Sequence, residues 1–365
     1  MYLFEKYFLE YRNNEKFLIA VFILCIFLIF LCLYLFNYRP LVVKPNFSTI
    51  KIVNISSVVS NAVLQPLEEL AIRPKILNIV EKPITLLPKP TPVGGGVVRK
   101  IAFASNRADG RYYQLYMMNS DGSAIERLTE AKAFDRDPHF SHDGTRLAFA
   151  SNRTGAYQIY VLDLATRAVK CLTQGKYDKT NPFWSPDDSE ILFTMHKKGS
   201  SHLGIMQING KNIRQLTNDY GDSHGYGFSP DGSKVSFEST MNDRNEIFIL
   251  DLRSQKSKPL LNMLDSTSYR GDPVFSPLGD KMIFSSNEKH NTRQLYMLDL
   301  QTKKYIKISK DNLDKDDPVF SPDGTMIAYV ACWGNAWNIF ITDVSGLKVT
   351  NITQSNYDNL VPSWR

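Results

Sequence analysis

The stretch PVFSPDGTMIAY, from Pro318 to Tyr329, decides the fold of this 365-residue chain because it is one copy of a repeat. Related strings are PHFSHDG at Pro138, PFWSPDD at Pro182, YGFSPDG at Tyr226 and PVFSPLGD at Pro273. Their serines recur every 44 to 47 residues, at Ser141, Ser185, Ser229, Ser276 and Ser321. A fixed period of this length is typical of proteins built from stacked supersecondary units.

Each repeat contains four short segments that are rich in β-branched and aromatic residues and bounded by turn residues, which predicts strands. Examples are IAFASN at Ile101, QLYMMN at Gln114 and RLT at Arg127. Asp-Gly pairs at Asp143, Asp231 and Asp323 supply the left-handed backbone that a tight hairpin needs. Four strands in about 45 residues are typical of one propeller blade.

The copies of each segment predict six four-stranded blades in an all-β ring. The PVFSPDG-like segment occurs five times inside the chain, whereas its neighbouring segments occur six times. The sixth copy is Val361-Pro362-Ser363-Trp364 at the C-terminus. The last strand is therefore expected to complete the first blade, with only Arg365 left outside the ring.

The sequence between Pro318 and Tyr329 resembles the propellers of TolB and of the prolyl oligopeptidase group. The resemblance extends from Arg99 to Arg365. It implies a six-bladed TolB-type propeller and leaves the function open. TolB carries a small α/β domain before its propeller, and prolyl oligopeptidases carry a hydrolase domain beside theirs. This sequence shows neither pattern.

The N-terminal quarter predicts a membrane anchor and a tether. Residues 17–36 are twenty consecutive residues without a charge, long enough to cross a bilayer as a helix. Residues 1–16 would lie in the cytoplasm, 37–98 would form a Pro- and Gly-containing linker, and 99–365 the propeller, in the periplasm or outside the cell. A cleaved signal peptide and a propeller on the cytoplasmic face are the alternatives.

Charge and motifs argue against several function classes. The net charge is +6 and no Lys/Arg run stands out, so nucleic acid is not an expected partner. One Gly-x-Ser-x-Gly string, at residues 221–225, is predicted to be a turn and not a nucleophile elbow, because no helix follows it. No catalytic residue, metal ligand or cofactor is predicted, although the resemblance permits Ca²⁺ at the channel.

The predicted function is binding of an envelope protein or peptide on the loop face and at the channel mouth. The residues just before the repeat prolines are the first candidates, and a tryptophan-flanked loop of blade 6 is the second. The predicted partner-binding residues are Asp137, Asn181, Asp272, Asp317, Trp333 and Trp337. The alternative is a metal-dependent polysaccharide lyase or hydrolase, as in related propellers of oligogalacturonide lyases, with histidines gathered around the channel.

Overall fold

The structure is a computed structural model that describes residues 99–197, 199–218, 221–241, 244–261, 269–288 and 291–365. Within these ranges all regular secondary structure is β-strand. No helix in the described part of the chain is long and apolar enough to cross a membrane. The predicted span at residues 17–36 and the linker at residues 37–98 lie outside the described ranges.

Six four-stranded antiparallel sheets form the blades, as the repeat predicts. Blade 1 contains β1 (Lys100–Ser105), β2 (Gln114–Asn119) and β3 (Glu126–Arg127). Blade 2 contains β4 (Asp135–Phe140), β5 (Arg146–Ser151), β6 (Gln158–Asp163) and β7 (Val169–Cys171). Blade 3 contains β8 (Lys179–Trp184), β9 (Glu190–Lys197), β10 (Ser200–Gln207) and β11 (Arg214–Gln215).

The remaining strands follow the same order from the innermost to the outermost position. Blade 4 contains β12 (Ser223–Phe228), β13 (Lys234–Met241), β14 (Arg244–Asp251) and β15 (Lys256–Pro259). Blade 5 contains β16 (Arg270–Phe275), β17 (Lys281–Ser286), β18 (Gln294–Asp299) and β19 (Tyr305–Lys307). Blade 6 contains β20 (Lys315–Phe320), β21 (Met326–Trp333), β22 (Ala336–Asp343) and β23 (Thr350–Asn351), and the chain ends with β24 (Asn359–Trp364).

The C-terminal strand closes the ring, which confirms the count made from the repeat. Strand β24 pairs antiparallel with β1 and forms the innermost strand of blade 1. The expectation that Arg365 is left over was wrong. Its backbone exchanges two hydrogen bonds of 2.8 Å with Lys100, and its guanidinium donates to the carbonyl oxygens of Asp143 and Gly144 in blade 2.

The Ser-x-Asp-Gly string forms the hairpin between the first two strands of a blade. In blade 2 the Ser141 hydroxyl donates to Asp143 at 2.6 Å, and the Gly144 amide donates to the Ser141 carbonyl at 2.8 Å. Gly144 has a φ of 60°, a left-handed conformation that glycine adopts without steric cost. The predicted left-handed position is therefore the glycine, while the aspartate orders the turn through its side chain.

The core consists of six hydrophobic clusters, one at each interface between neighbouring blades. A buried Phe and Tyr stack across two strands in several blades, as Phe103 and Tyr116 do at 5.8 Å between ring centroids. In blade 1 the guanidinium of Arg107 lies 5.1 Å from both ring centroids. Through this cation–π contact Arg107 covers the two rings at one end of the cluster.

Candidate functional site

A central cavity of about 1260 Å³ is lined by residues of the six innermost strands. The strands β4, β8, β12, β16, β20 and β24 bring equivalent positions of the repeat around one axis. Side chains at these positions therefore face one another, although they lie tens of residues apart in the sequence. This cavity is the candidate functional site, because concave sites with a few converging polar groups are where ligands bind.

A β-bulge in each of the six innermost strands sets the shape of the cavity wall. In five of them the residue before the proline has a φ near +50°, and the pairing with the next strand shifts at this point. These residues are Asp137, Asn181, Asp272, Asp317 and Val361. Asp and Asn tolerate the left-handed conformation because of their short polar side chains, whereas a β-branched residue is strained there.

All four of the predicted Asp and Asn residues lie on the cavity wall. The Asp137 carboxylate accepts a hydrogen bond from the Asn181 amide at 3.2 Å and pairs with Arg136 at 3.0 Å. The Asp317 carboxylate likewise accepts a backbone hydrogen bond from Val361. Part of the role of these side chains is therefore structural, since each links neighbouring blades around the ring.

The most acidic part of the wall lies between blades 5 and 6. Asp272 and Asp316 both line the cavity there, and Asp316 Oδ1 is buried without a hydrogen-bond partner among the described residues. Ser285 donates to Asp272 at 2.5 Å, and Arg293 pairs with Asp316 at 2.5 Å. Burial and the charges of Asp272 and Asp317 raise the pKa of Asp316 well above its usual range.

Two further carboxyl groups extend this cluster. Burial, with the charges of Asp272 and then Asp137, raises the pKa of Asp317 to about 7. Glu238 is 7% exposed, and burial and the charge of Asp272 raise its pKa to about 8. The Tyr269 hydroxyl donates to Glu238 at 3.1 Å. Asp272, Asp316, Asp317 and Glu238 are named the acidic cluster below.

Glu238 was missed by the sequence reasoning, which looked for site residues in loops and not in inner strands. It lies within VSFEST in strand β13, and a charged residue in a strand that packs in the core is a sequence indication of a functional or paired carboxylate. Gly271 makes room for it. A Cβ atom at this glycine would lie 2.2 Å from a Glu238 carboxylate oxygen and 2.0 Å from the Tyr269 hydroxyl oxygen.

His139, His196 and His224 also line the cavity, where they are partly buried. Burial lowers the pKa of His139 to about 3, and it also lowers the pKa values of His196 and His224. Both ring nitrogens of His196 have hydroxyl partners at 2.9 Å, on Thr180 and Ser201. Among the described residues no three His, Cys, Asp or Glu side chains are grouped to hold a metal ion. His290 lies outside the described residues.

The two candidate tryptophans do not lie on the cavity wall. Trp333 and Trp337 flank the hairpin that joins β21 to β22. Trp333 is 38% exposed, whereas Trp337 packs against the cluster between blades 1 and 6, and its amide donates to Asp358 at 3.0 Å. Trp333 is thus available to a partner at the loop, and Trp337 is largely a packing residue.

The Gly-x-Ser-x-Gly string has no elbow geometry. Ser223 opens strand β12, is fully buried, and its hydroxyl lies 3.1 Å from that of Ser239. The predicted turn was therefore wrong for residues 223–225, which are strand, while the prediction that no helix follows is correct. A nucleophile needs an exposed hydroxyl and a neighbouring base, and Ser223 has neither in the described structure.

Comparison with known proteins supports the propeller type. Residues 227–365 match the TolB beta propeller domain. TolB from Acinetobacter baumannii superposes with a TM-score of 0.65 and 22% identity, covering 73% of this chain and 66% of that one, slightly less than two thirds of its length. The putative TolB from Agrobacterium tumefaciens gives 0.59 and 18% identity, covering 73% of this chain and 91% of that one.

A third similar structure is hydrazine synthase of Kuenenia stuttgartiensis, with a TM-score of 0.60, 15% identity, and coverage of 74% of this chain and 47% of that one. No curated protein matches the sequence. The resemblance to TolB-type six-bladed propellers, predicted from the repeat, is confirmed. At these identities the similarity shows the fold alone.

Proposed function

We propose that this propeller is a binding scaffold of the cell envelope, which receives a protein or peptide partner at the mouth of its central cavity. The observation that carries the proposal is the acidic cluster, which concentrates carboxyl groups on one wall of the cavity. The match to the TolB beta propeller domain agrees with a protein partner and with a role that is not catalytic.

The charge of the cluster indicates which chemical group the partner presents. Carboxyl groups with raised pKa values are partly protonated at neutral pH, because burial and mutual repulsion disfavour the ionised forms. A cationic group brought into the cavity, such as a Lys or Arg side chain or a free amino terminus, would reverse this balance. Binding is therefore expected to release protons and to weaken as the pH falls below about 7, the pKa of Asp317.

The test is crosslinking with mass spectrometry on the full-length protein in its own membranes. Asp317→Asn and Asp272→Asn remove charge while keeping shape, and both are expected to lower the yield of the partner's crosslinks at least about tenfold, as the loss of a buried charge pair would. Glu126→Gln is the matched control, because Glu126 is an exposed carboxylate on the outermost strand β3. Equal crosslink yields for all three variants would refute the cavity as the binding site.

Trp333→Ala examines the loop face separately. If the partner also covers this loop, crosslinks decrease in this variant while Tm stays unchanged, because the side chain is 38% exposed. An unchanged crosslink pattern would limit the partner to the cavity.

We also propose that residues 17–36 anchor the chain as a single membrane span, with the propeller outside the cytoplasm. Support comes from the uncharged twenty-residue stretch alone. Cys171 offers a direct test because it is a free and exposed thiol on the propeller. A membrane-impermeant maleimide should label the wild type in cells with a permeabilised outer layer, and it should not label Cys171→Ser with Cys332→Ser, which also removes the second, partly exposed thiol of the propeller. Labelling only after lysis of the cells would place the propeller inside.

A further inference from the structure

A second cavity of about 990 Å³ opens between blades 4 and 5, and none of the predicted partner-binding residues lines it. Part of its wall is apolar, with Ile249 and Leu260 from blade 4 and Leu278 and Leu300 from blade 5, and the rest is polar and includes Lys234. Lys258 and Lys303 stand on its two sides. This second cavity is named the interblade cleft below.

Blade 5 departs from the repeat at Glu288, one of the residues that line the cleft. In blade 2 Arg153 covers the stacked Phe149 and Tyr160 and pairs with Asp135 at 2.9 Å. In blade 5 the acidic and the basic residue of this ion pair have exchanged positions. Glu288 stands where Arg153 stands, and it pairs with Arg270 at 2.8 Å. The equivalent aromatic pair, Phe284 and Tyr296, is covered by Tyr305, whose ring centroid lies 5.9 Å from both. Glu288 and Tyr305 line the cleft.

A second departure places an apolar side chain at the opening. The turn of blade 5 reads Ser-Pro-Leu-Gly-Asp, so Leu278 occupies the place that Asp231 and Asp323 hold in blades 4 and 6. The serine of this turn donates to Asp280 at 2.8 Å, so the aspartate has moved two residues along the chain. Leu278 has no part in ordering the turn and is 87% exposed, which is unusual for a leucine that lines a cavity.

The charges around the cleft favour the binding of an anion. Neither Lys258 nor Lys303 has an ion-pair partner within the described part of the chain, while the two acidic groups of the lining already have partners. Glu288 is bound by Arg270 and Tyr305, and Asp231 by the serines of its own turn. Burial, and then the charge of Lys258, lowers the pKa of Lys303. The two ammonium groups are therefore close enough to repel each other.

We propose that the interblade cleft binds an anionic amphiphile, with its carboxylate or phosphate head between Lys258 and Lys303 and its hydrocarbon chain against the apolar wall. An anion between two like charges removes their repulsion, and each methylene group of the chain that is buried against the apolar wall strengthens binding further. A volume of 990 Å³ lies at the upper end of the range for small-ligand pockets. The linker at residues 37–98 is a poorer occupant, because its own charge is positive.

The experiment uses the full-length protein in phosphatidylcholine vesicles and measures deuterium exchange of β15 and β19, which flank the cleft. Dodecanoate below its micellar concentration is the free amphiphile, and vesicles that contain phosphatidylglycerol present the same chemistry from a membrane. Slower exchange with dodecanoate alone indicates a soluble ligand, and slower exchange with phosphatidylglycerol indicates a lipid of the bilayer. Dodecanol and acetate are the controls, because dodecanol lacks the anionic head and acetate lacks the long hydrocarbon chain.

Variants connect the response to the cleft. Lys258→Gln with Lys303→Gln should weaken dodecanoate binding at least about tenfold, since one basic residue near an anionic surface contributes ~1 kcal/mol. Leu278→Asp restores the residue of the neighbouring turns and should also abolish protection without lowering Tm. Leu347→Asp is the matched control and should change nothing, because Leu347 is an exposed leucine on a turn of blade 6, 71% exposed against 87% for Leu278.

The proposal is overturned if neither dodecanoate nor phosphatidylglycerol slows exchange in β15 and β19. It is also overturned if dodecanol protects as well as dodecanoate, or if the lysine variants bind like the wild type. These outcomes are independent of the central cavity, because no substitution in this set touches the acidic cluster.

Discussion

Replacing Val361 with Asn should stabilise the propeller, because this valine adopts a conformation that its neighbours in the ring fill with Asp or Asn. Its φ is 50°, and the equivalent residues Asp137, Asn181, Asp272 and Asp317 have φ between 48° and 54°. The left-handed conformation costs an L-residue about 1–2 kcal/mol, and a β-branched residue lies toward the upper end. Asn reaches it with less strain.

The gain is partly offset by lost apolar burial. The Val361 side chain is about half buried on the cavity wall, so its removal costs ~1 kcal/mol at ~25 cal/mol per Å². The net expectation is a stabilisation of about 0.5–1 kcal/mol, or a rise in Tm of ~2 °C for a domain of this size. The backbone amide of Val361 still donates to Asp317 in the variant, so that contact does not change.

The matched experiment is the reverse change, Asn181→Val, at the same position of blade 3. It should lower Tm by a similar or larger amount, since it introduces the strain and places a valine on a polar wall. Differential scanning calorimetry of both variants, at one scan rate, measures the effect. A lower Tm for Val361→Asn together with an unchanged Tm for Asn181→Val would refute the argument from backbone strain.

Two further predictions concern closure and pH. Arg365→Ala should lower Tm by about 2–4 °C, because it removes charge-assisted hydrogen bonds to the carbonyls of Asp143 and Gly144. Arg365→Lys should recover part of the lost Tm. An unchanged Tm in both variants would contradict a role of Arg365 in closure. The contribution of Asp317 and Glu238 to stability should fall as the pH rises from about 4 to about 8, because their folded pKa values lie above their unfolded values; His139, whose pKa burial lowers to about 3, contributes in the opposite direction below its unfolded pKa. Urea unfolding at several pH values checks this, and a slope that Asp317→Asn with Glu238→Gln leaves unchanged would refute the assignment.

The fold was largely predictable because every blade of a propeller repeats the same sequence pattern of strands and turns. Hydrophobic strands, Asp-Gly turns and a fixed period all specify the same architecture, and the missing sixth copy identified Val361 to Trp364 as the closing strand. The role of Arg365 was not predictable. Its contacts are to backbone carbonyls of another blade, and no sequence pattern specifies such a contact.

The site was predictable only in part. The residue before each repeat proline was a visible position, and the structure places Asp137, Asn181, Asp272 and Asp317 around the central cavity, in four different blades. The bulge that turns these residues left-handed was not visible, because register shifts depend on pairing between strands. Glu238 was visible as a charge in an apolar strand, but its meaning depends on the absence of a side chain at Gly271.

The interblade cleft shows how a deviation from a repeat can carry information. Leu278 in place of the turn aspartate and Glu288 in place of the covering arginine were both readable in the sequence. They lie ten residues apart, and only the packing of blade 5 against blade 4 brings them to one cavity. In a repeat protein, the positions at which one copy differs from the others are therefore better candidates for function than the positions that all copies share.

The pairing of β24 with β1 joins the two ends of a ring that is synthesised over 265 residues, from Lys100 to Trp364. Until the last strand emerges, β1 presents an open edge of the kind that recruits strands from other chains. Blade 1 therefore cannot become complete before synthesis ends, and the nascent propeller needs protection during that interval. Truncated products that lack the final strand should accumulate as aggregates and not as partly folded rings.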